Sequence, residues 1–365
     1  MIRVLHVIGS MTSGGAEAFI MNYYRNIDRS KVQFDFAVRT NEKCFYDDEI
    51  ESLGGKIYRV PAFNGLNPIS YKRGWEEFFK EHTEHSIVHG HLGSAAAIYL
   101  KVAKKFGKIT IAHSHNTNPP KINLREVAWR FWSYPTRNIA DYLFACGKQA
   151  GIDRYGKKKG VIVINNAIDV EKFQYNIEAR NKIRKEFGIA DDKFVIGHVG
   201  RFNVQKNHSY LIDIFNKVHE VNKSAVLLLL GSGELEETIK EKVKEYNLND
   251  SVIFAGVRKD LYNIYSAMDV FVFPSLFEGL PVVSIEAQTS GLHFISSNAV
   301  KKEANITGLI DFIDLDADIQ TWVDKILEFS NGYDRKINLS VISNAGYDIK
   351  KQAKWLEEFY VGKVK

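Results

Sequence analysis

Short apolar runs alternate with amphipathic stretches along this chain, and the alternation happens twice. In the first series the strand candidates are residues 4–8, 34–38, 57–60, 87–89, 109–112, 142–145 and 161–164. Between them lie helical patterns, beginning with Ala16, Phe19, Ile20, Tyr23 and Ile27 at three- and four-residue spacing and continuing at 45–53, 70–81, 94–106, 127–139 and 148–155. The polar segment 170–193, with one short helix near 177–187, reads as a connector. The second series predicts strands at 194–199, 225–230, 252–255, 270–273 and 294–296, a sixth at 309–312, and helices at 209–220, 235–246, 261–267, 282–289 and 319–329. Strands separated by helices imply parallel sheets covered on both faces, so the pattern predicts two doubly wound α/β domains. A last helix at 348–360 carries an apolar stripe of Ile349, Ala353, Leu356 and Phe359.

Composition narrows the class. A length of 365 residues gives each of two domains enough interior to fold without staples. Cys44 and Cys146 are the only cysteines, which gives no disulfide framework and suits a reducing cytosol. The opening Met1 to Gly9 reads as a first strand rather than a leader, and no window approaches the roughly eighteen apolar residues of a membrane span. The expectation is a cytoplasmic protein, soluble or peripheral at the inner face of the membrane. Net charge is +5, from 49 Lys and Arg against 44 Asp and Glu. Basic residues recur at Lys101, Lys104, Lys105, Lys108, Lys121, Arg125, Arg130, Arg137 and Lys157 to Lys159, as a solvated surface or as a contact for anionic lipid or a phosphorylated acceptor. Interspersed acids and the absence of a stacking pattern among the aromatics argue against nucleic acid.

Candidate chemistry gathers at predicted strand ends. Glu278 and Glu286 are eight residues apart, with Glu278 before a helix start near Pro281 and Glu286 inside that helix. Both carboxylates can therefore face one ligand lying over the backbone of Leu280, Pro281, Val282 and Val283, a segment suited to phosphate between two hydroxyl-bearing ends. A nucleotide-sugar fits that description. Arg201 and Lys206, in a loop opened by Gly200, are placed to neutralise a pyrophosphate as charge builds on it. Gly14 and Gly15 after the first strand, and Gly231 and Gly233 after another, permit close backbone approach to a ligand or simply make tight turns. Gly256 and Val257 could line a slot for a flat base. His89 with His91 and His113 with His115 form two His-x-His pairs, readable as zinc ligands, as polar groups over a substrate, or as buried imidazoles; no Cys, Asp or Glu lies adjacent to complete a metal set. Asp314, Asp316 and Asp318 precede a helix and read as capping residues rather than a metal site.

The ordered combination of Gly14-Gly15-Ala-Glu17, His113-Ser-His-Asn116, Asn166-Ala-Ile-Asp169, Gly200-Arg201 with Lys206, Gly231-Ser-Gly233, and Glu278 through Glu286 resembles the retaining glycosyltransferases of GT-B family 4, over essentially the whole chain. The opening strand and the His113 segment are similar to members that build capsular or exopolysaccharides. The resemblance implies two Rossmann-like domains facing across a cleft: residues 1–169 on the acceptor side, completed by the helix 348–360, and residues 170–347 holding the donor. It implies Arg201 and Lys206 at the diphosphate, Glu286 at the ribose, Glu278 at the transferred sugar, Val257 at the base, His115 near the sugar and Gly15 near the phosphates. It further implies a UDP-sugar donor, a saccharide acceptor carried on a lipid diphosphate, retention of configuration, and no bound metal or other cofactor. After Gly291 the chain has Leu292-His293-Phe294 where many relatives have Pro, which bears on subfamily more than on chemistry. A UDP-N-acetylglucosamine epimerase and a non-catalytic sugar-nucleotide-binding subunit are the competing expectations.

Overall fold

The computed structural model describes residues 1–12, 14–93, 95–115, 131–157 and 160–364. The expectations that fall on Ser94, Asn116, Lys121, Arg125, Arg130, Lys158, Lys159 and residues 127–130 lie outside the described residues. The chain divides into two compact units, Met1–Ala167 with Ile349–Lys365, and Ile168–Asp348.

In the first unit the strands are β1 (Ile2–Val7), β2 (Val32–Val38), β3 (Ile57–Arg59), β4 (His85–Gly90), β5 (Ile109–Ser114), β6 (Tyr142–Ala145) and β7 (Val161–Val163). They form one parallel sheet in the order β3-β2-β1-β4-β5-β6-β7. Around it lie α1 (Gly15–Asn26), α2 (Asp47–Ser52), α3 (Pro68–Glu81), α4 (Ala96–Lys105), α5 (Thr136–Ile139) and α6 (Lys148–Tyr155). Because strand side chains alternate, Val4, Phe34, Phe36, Ile87 and Ile111 pack on one face, while Leu5, Val7, Ala37, Val88 and Ala112 pack on the other. His6, His89 and His113 sit two residues beyond Val4, Ile87 and Ile111, so they fall on the first of these faces. The same register continues to His91 and His115 just past the strand ends.

The second unit contains α7 (Ile177–Glu186), β8 (Phe194–Val199), α8 (His208–Val221), β9 (Ala225–Leu230), α9 (Glu236–Glu245), β10 (Val252–Phe254), α10 (Leu261–Ala267) and β11 (Val270–Phe273). It continues with α11 (Val282–Thr289), β12 (Phe294–Ser297), β13 (Ile310–Ile313), α12 (Ile319–Leu327) and α13 (Leu339–Asn344). Its six strands are parallel in the order β10-β9-β8-β11-β12-β13. Runs such as Ala225–Leu230 are buried along their whole length, as expected of a sheet covered on both faces. The final helix α14 (Ile349–Val364) returns to the first unit, where Ile349, Ala353, Leu356 and Tyr360 join the core with α1 and β2 residues. Glu357 accepts hydrogen bonds there from the Asp28 amide at 3.0 Å and Lys31 Nζ at 2.9 Å.

One expectation is corrected. Residues 170–193 are an integral part of the second unit rather than a connector, because α7 inserts a guanidinium into its interior. Arg184 is 1% exposed; it meets Asp269 Oδ2 at 2.7 Å and donates to the carbonyls of Ala267, Asp191 and Lys193. A buried arginine satisfied by carbonyls looks like ordinary surface charge in the sequence.

Candidate active site

In each unit the strand order reverses between the first and fourth strands, β1/β4 and β8/β11. In open α/β sheets the carboxyl ends at such a reversal form the ligand crevice.

In the second unit, the loops following β8 and β11 are bound to each other. Leu276 N donates to Gln205 O at 2.8 Å, Gln205 Nε2 to Phe277 O at 2.9 Å, and Asn207 Nδ2 to Pro274 O at 3.1 Å. Asn207 adopts φ +55°, a left-handed conformation that Asn tolerates. Asn203 Oδ1 accepts from Lys206 N at 3.1 Å, so the short helical turn carrying Lys206 is capped. The result brings two of the expected site residues together: Lys206 Nζ meets Glu278 Oε1 at 2.6 Å, with side chains 17% and 7% exposed. The ammonium also lies 4.6 Å from the centre of the Phe273 ring. Arg201, from the same loop, is exposed and paired with exposed Glu234 at 3.1 Å.

Glu286 lies on α11, where burial pushes its carboxyl up to about 7, opposed by the hydrogen bond that Tyr265 Oη donates to Oε2 at 2.7 Å. Pro281 stands at the N-cap of α11, so the first-turn amides of Val282 and Val283 have no intrahelical acceptor. Leu280 packs against the core as a partly buried residue, whereas Val257 is 59% exposed.

The glycines separate by what surrounds them. At Gly231, with φ +132°, a Cβ would lie 2.0 Å from Gly200 O, and at Gly233 it would lie 2.4 Å from Phe202 O. Those two are required for the β8 and β9 loops to pass each other. A Cβ on Gly200 would sit 2.9 Å from His198 Nε2, and on Gly14 it would meet Glu17 Oε2 at 2.4 Å. Gly15 has open space: nothing lies within 4 Å of its Cβ position.

At the reversal in the first unit, five histidines form two hydrogen-bonded rows. His6 Nδ1 and His91 Nε2 are 2.9 Å apart, and His91 Nδ1 and His115 Nε2 2.7 Å. In the second row Tyr360 Oη lies 2.7 Å from His89 Nδ1, and His89 Nε2 3.1 Å from His113 Nδ1. The rows stack, with ring centroids 4.5 Å apart for His89 and His91 and 4.2 Å for His113 and His115. Desolvation pushes His6 down to about 3 and His115 to about 4, while burial and the neighbouring imidazoles hold His89, His91 and His113 well below the usual histidine range. All five are therefore neutral near pH 7. His6 was not among the sequence candidates; its only signal is a histidine in the register of buried Val4.

Donor nitrogens of His6, His89 and His91, and of His91, His113 and His115, lie within 4.8 Å of one another, so either trio could supply ligands to a metal. A tetrahedral zinc ion at about 2.0 Å from each nitrogen would hold two of them about 3.3 Å apart. The hydrogen-bonded pairs, at 2.7 to 3.1 Å, have the spacing of a shared proton instead. Near Asp314, Asp318 accepts from Gln320 N at 2.9 Å and caps α12. His293, at the position where proline was expected, stacks on Phe329 at 4.1 Å and lies edge-on to Tyr333.

Two parallel α/β units, each with a strand reversal in its sheet, are the GT-B architecture. Residues 13–172 match the model for Glycosyltransferase Family 4, and residues 179–339 that for Glycosyl transferases group 1. EpsF of Bacillus subtilis (strain 168), assigned to the glycosyltransferases, is 35% identical over 98% of this chain and 96% of its own. The Staphylococcus aureus capsular polysaccharide biosynthesis glycosyltransferase CapH is 24% identical, covering 100% of this chain and 99% of its own. The Escherichia coli UDP-Gal:alpha-D-GlcNAc-diphosphoundecaprenol alpha-1,3-galactosyltransferase is 33% identical over 56% of this chain and 54% of its own. Among solved structures, Anabaena Alr3699/HepE in complex with UDP superposes with TM-score 0.78 at 16% identity, covering 99% of this chain and 100% of that one. The chain belongs to glycosyltransferase family 4, among relatives of the capsular and exopolysaccharide type.

Proposed function

We propose that this glycosyltransferase moves a hexose or N-acetylhexosamine from a UDP-sugar to a saccharide acceptor carried on a lipid diphosphate, with retention of configuration, in the synthesis of a cell-surface polysaccharide. The observation that carries this reading is the Lys206–Glu278 pair at the strand reversal of the second unit. In this reading Arg201 and Lys206 meet the diphosphate, the first-turn amides of α11 assist them, Glu286 takes the ribose, Glu278 the sugar hydroxyls, and Val257 lies at the base. Gly15 is read as lying near the donor phosphates and His115 near the transferred sugar. As the bond from sugar carbon to phosphate oxygen breaks, its electrons pass to UDP and the sugar becomes oxocarbenium-like. The acceptor hydroxyl attacks the same face and gives its proton to a leaving phosphate oxygen. Cations aimed at that leaving group stabilise the developing charge, so the chemistry at the diphosphate needs no metal ion. The UDP in the HepE structure and the UDP-galactose and diphosphoundecaprenol in the Escherichia coli relative's name support the choice of donor and acceptor.

A lipid-borne acceptor calls for contact with a membrane, and the first unit offers an exposed apolar surface. Leu66 and Ile69 are 92% and 78% exposed, Phe131 and Tyr134 72% and 50%. The Phe63 and Trp132 rings, 5.3 Å apart, bring the two segments together. No acid occurs in residues 62–75 or 131–140, whereas Lys72, Arg73 and Arg137 do, a pattern matched to anionic lipid. Lys72 is partly offset by Glu76 at 3.5 Å. Among the described residues no helix is long and apolar enough to cross a membrane. The test is mass-resolved product analysis with a panel of UDP-sugars and polyprenyl-diphosphate saccharides. A product one sugar heavier supports the reading, and conversion of the UDP-sugar without any acceptor contradicts it.

A further inference from the structure

The row His6–His91–His115 is a single file of ring protons. Three neutral imidazoles carry three N–H groups, and each of the two nitrogen–nitrogen contacts holds one. One proton is left for an end of the file, either on His6 Nε2 or on His115 Nδ1. The tautomers of the three residues are thereby coupled, and reversing one reverses all.

The surroundings choose the direction. In the adjoining row the buried Tyr360 hydroxyl and His89 Nδ1 are 2.7 Å apart, and the phenol proton is satisfied there only if the tyrosine is the donor. With the tyrosine as donor, His89 carries its proton on Nε2 and donates to His113 Nδ1, leaving His113 with an Nε2 proton that has no acceptor among the described residues. These N–H dipoles run from β4 to β5. A stacked neighbouring row is more stable with its dipoles opposed, from His115 through His91 to His6. The far end favours the same sense: the Asp35 carboxylate acts favourably on positive charge at His6, and the Phe34 ring lies 4.2 Å from the His6 ring. This direction carries a cost at the same end, because His6 Nε2 is buried with no hydrogen-bond partner among the described residues.

We propose that His6 and His91 are positioning residues that fix His115 in the Nε2–H tautomer, so that its Nδ1 is presented bare, as a hydrogen-bond acceptor for a sugar hydroxyl. The inference rests on the reading that places His115 beside the transferred sugar. Among the described residues Nδ1 of His115 has no protein partner. The ring is held from behind by His91, edge-on by Phe19 at 5.2 Å and face-on by His113. A neutral acceptor clamped in this way takes a hydroxyl proton's hydrogen bond without taking the proton itself.

Nitrogen-15 NMR of the histidine side chains in the full-length protein reads the tautomers directly. The expected result is Nε2–H for His6, His89, His91, His113 and His115. His6→Phe keeps an aromatic ring but removes the acceptor for His91; the file then reverses, His115 shifts to Nδ1–H, and kcat falls about tenfold with little change in KM. His6→Asn, whose Oδ1 can stand in for Nδ1, restores both the tautomer and the rate. Wild-type His115 found as Nδ1–H overturns the proposal without any variant. So does a His6→Phe enzyme that loses rate while His115 keeps its tautomer. The underlying placement of His115 is tested separately: undiminished transfer by His115→Ala overturns it whatever the tautomers show.

Discussion

Lys206 Nζ and Glu278 Oε1 are 2.6 Å apart although 72 residues separate them in the chain. The contact exists because the loops after β8 and β11 are joined through Gln205 and Asn207, so the cation and the carboxylate are positioned as a unit. Lys206→Ala and Glu278→Ala are each expected to lower kcat/KM for transfer at least about tenfold. Removing the lysine alone strands a nearly buried carboxylate, at a cost of about 3 kcal/mol. In Lys206→Ala/Glu278→Gln much of that stability returns while activity does not, as denaturant titration beside the transfer assay will show.

Glu286 gives a pH signature. Burial raises its folded-state value from 4.5 to about 7, so between these pH values the folded protein holds a proton that the unfolded chain has released. Its contribution to stability is fully present below about 4.5 and is lost as pH rises through about 7. Thermal melts of wild type and Glu286→Gln across that window should therefore differ in slope, with wild type losing several degrees relative to the variant as pH rises.

The imidazole rows act in the opposite sense. Their folded-state values lie below the unfolded 6.5, so as pH falls below about 6.5 the unfolded chain takes up protons that the folded first unit refuses. Stability drops by up to about 1.4 kcal/mol per pH unit for each such group. Proton uptake on unfolding, measured by calorimetry at pH 5.5 in buffers of different ionisation enthalpy, should reach several protons. Uptake near zero would mean that the rows are already charged.

Tyr360→Phe keeps the packing of α14 in the first unit but leaves His89 Nδ1 buried without its donor. The expected loss is about 1–2 kcal/mol in denaturant unfolding.

Two glycines should part company. Gly231→Ala places a methyl 2.0 Å from Gly200 O in a left-handed conformation, and costs about 2 kcal/mol or more. Gly15→Ala meets nothing within 4 Å, so the melting temperature holds. If donor phosphates approach Gly15, KM for the UDP-sugar rises in that variant alone.

The two-unit fold was legible in the alternation of strands and helices, since buried parallel strands such as Phe194–Val199 appear as plain apolar runs. Helix α12 and its Asp318 cap were equally plain. Legibility failed where burial is polar. Arg184 looked like a connector charge, and α13, a six-residue helix, carries too short a pattern to register. Lys206 and Glu278 each stand in a loop that the sequence places after a predicted strand. Their pairing was not legible, because it depends on which strands are neighbours across the reversal. The same is true of His6, whose partners are His91 just past β4 and the rings of Phe34 and Phe36 on β2.

The most direct measurement is a crystal structure of the protein with a UDP-sugar bound. The account predicts the diphosphate within hydrogen-bond distance of Arg201 and Lys206, the ribose on Glu286 and the saccharide on Glu278. A diphosphate remote from both cations, with the two carboxylates turned away from ribose and sugar, would contradict it.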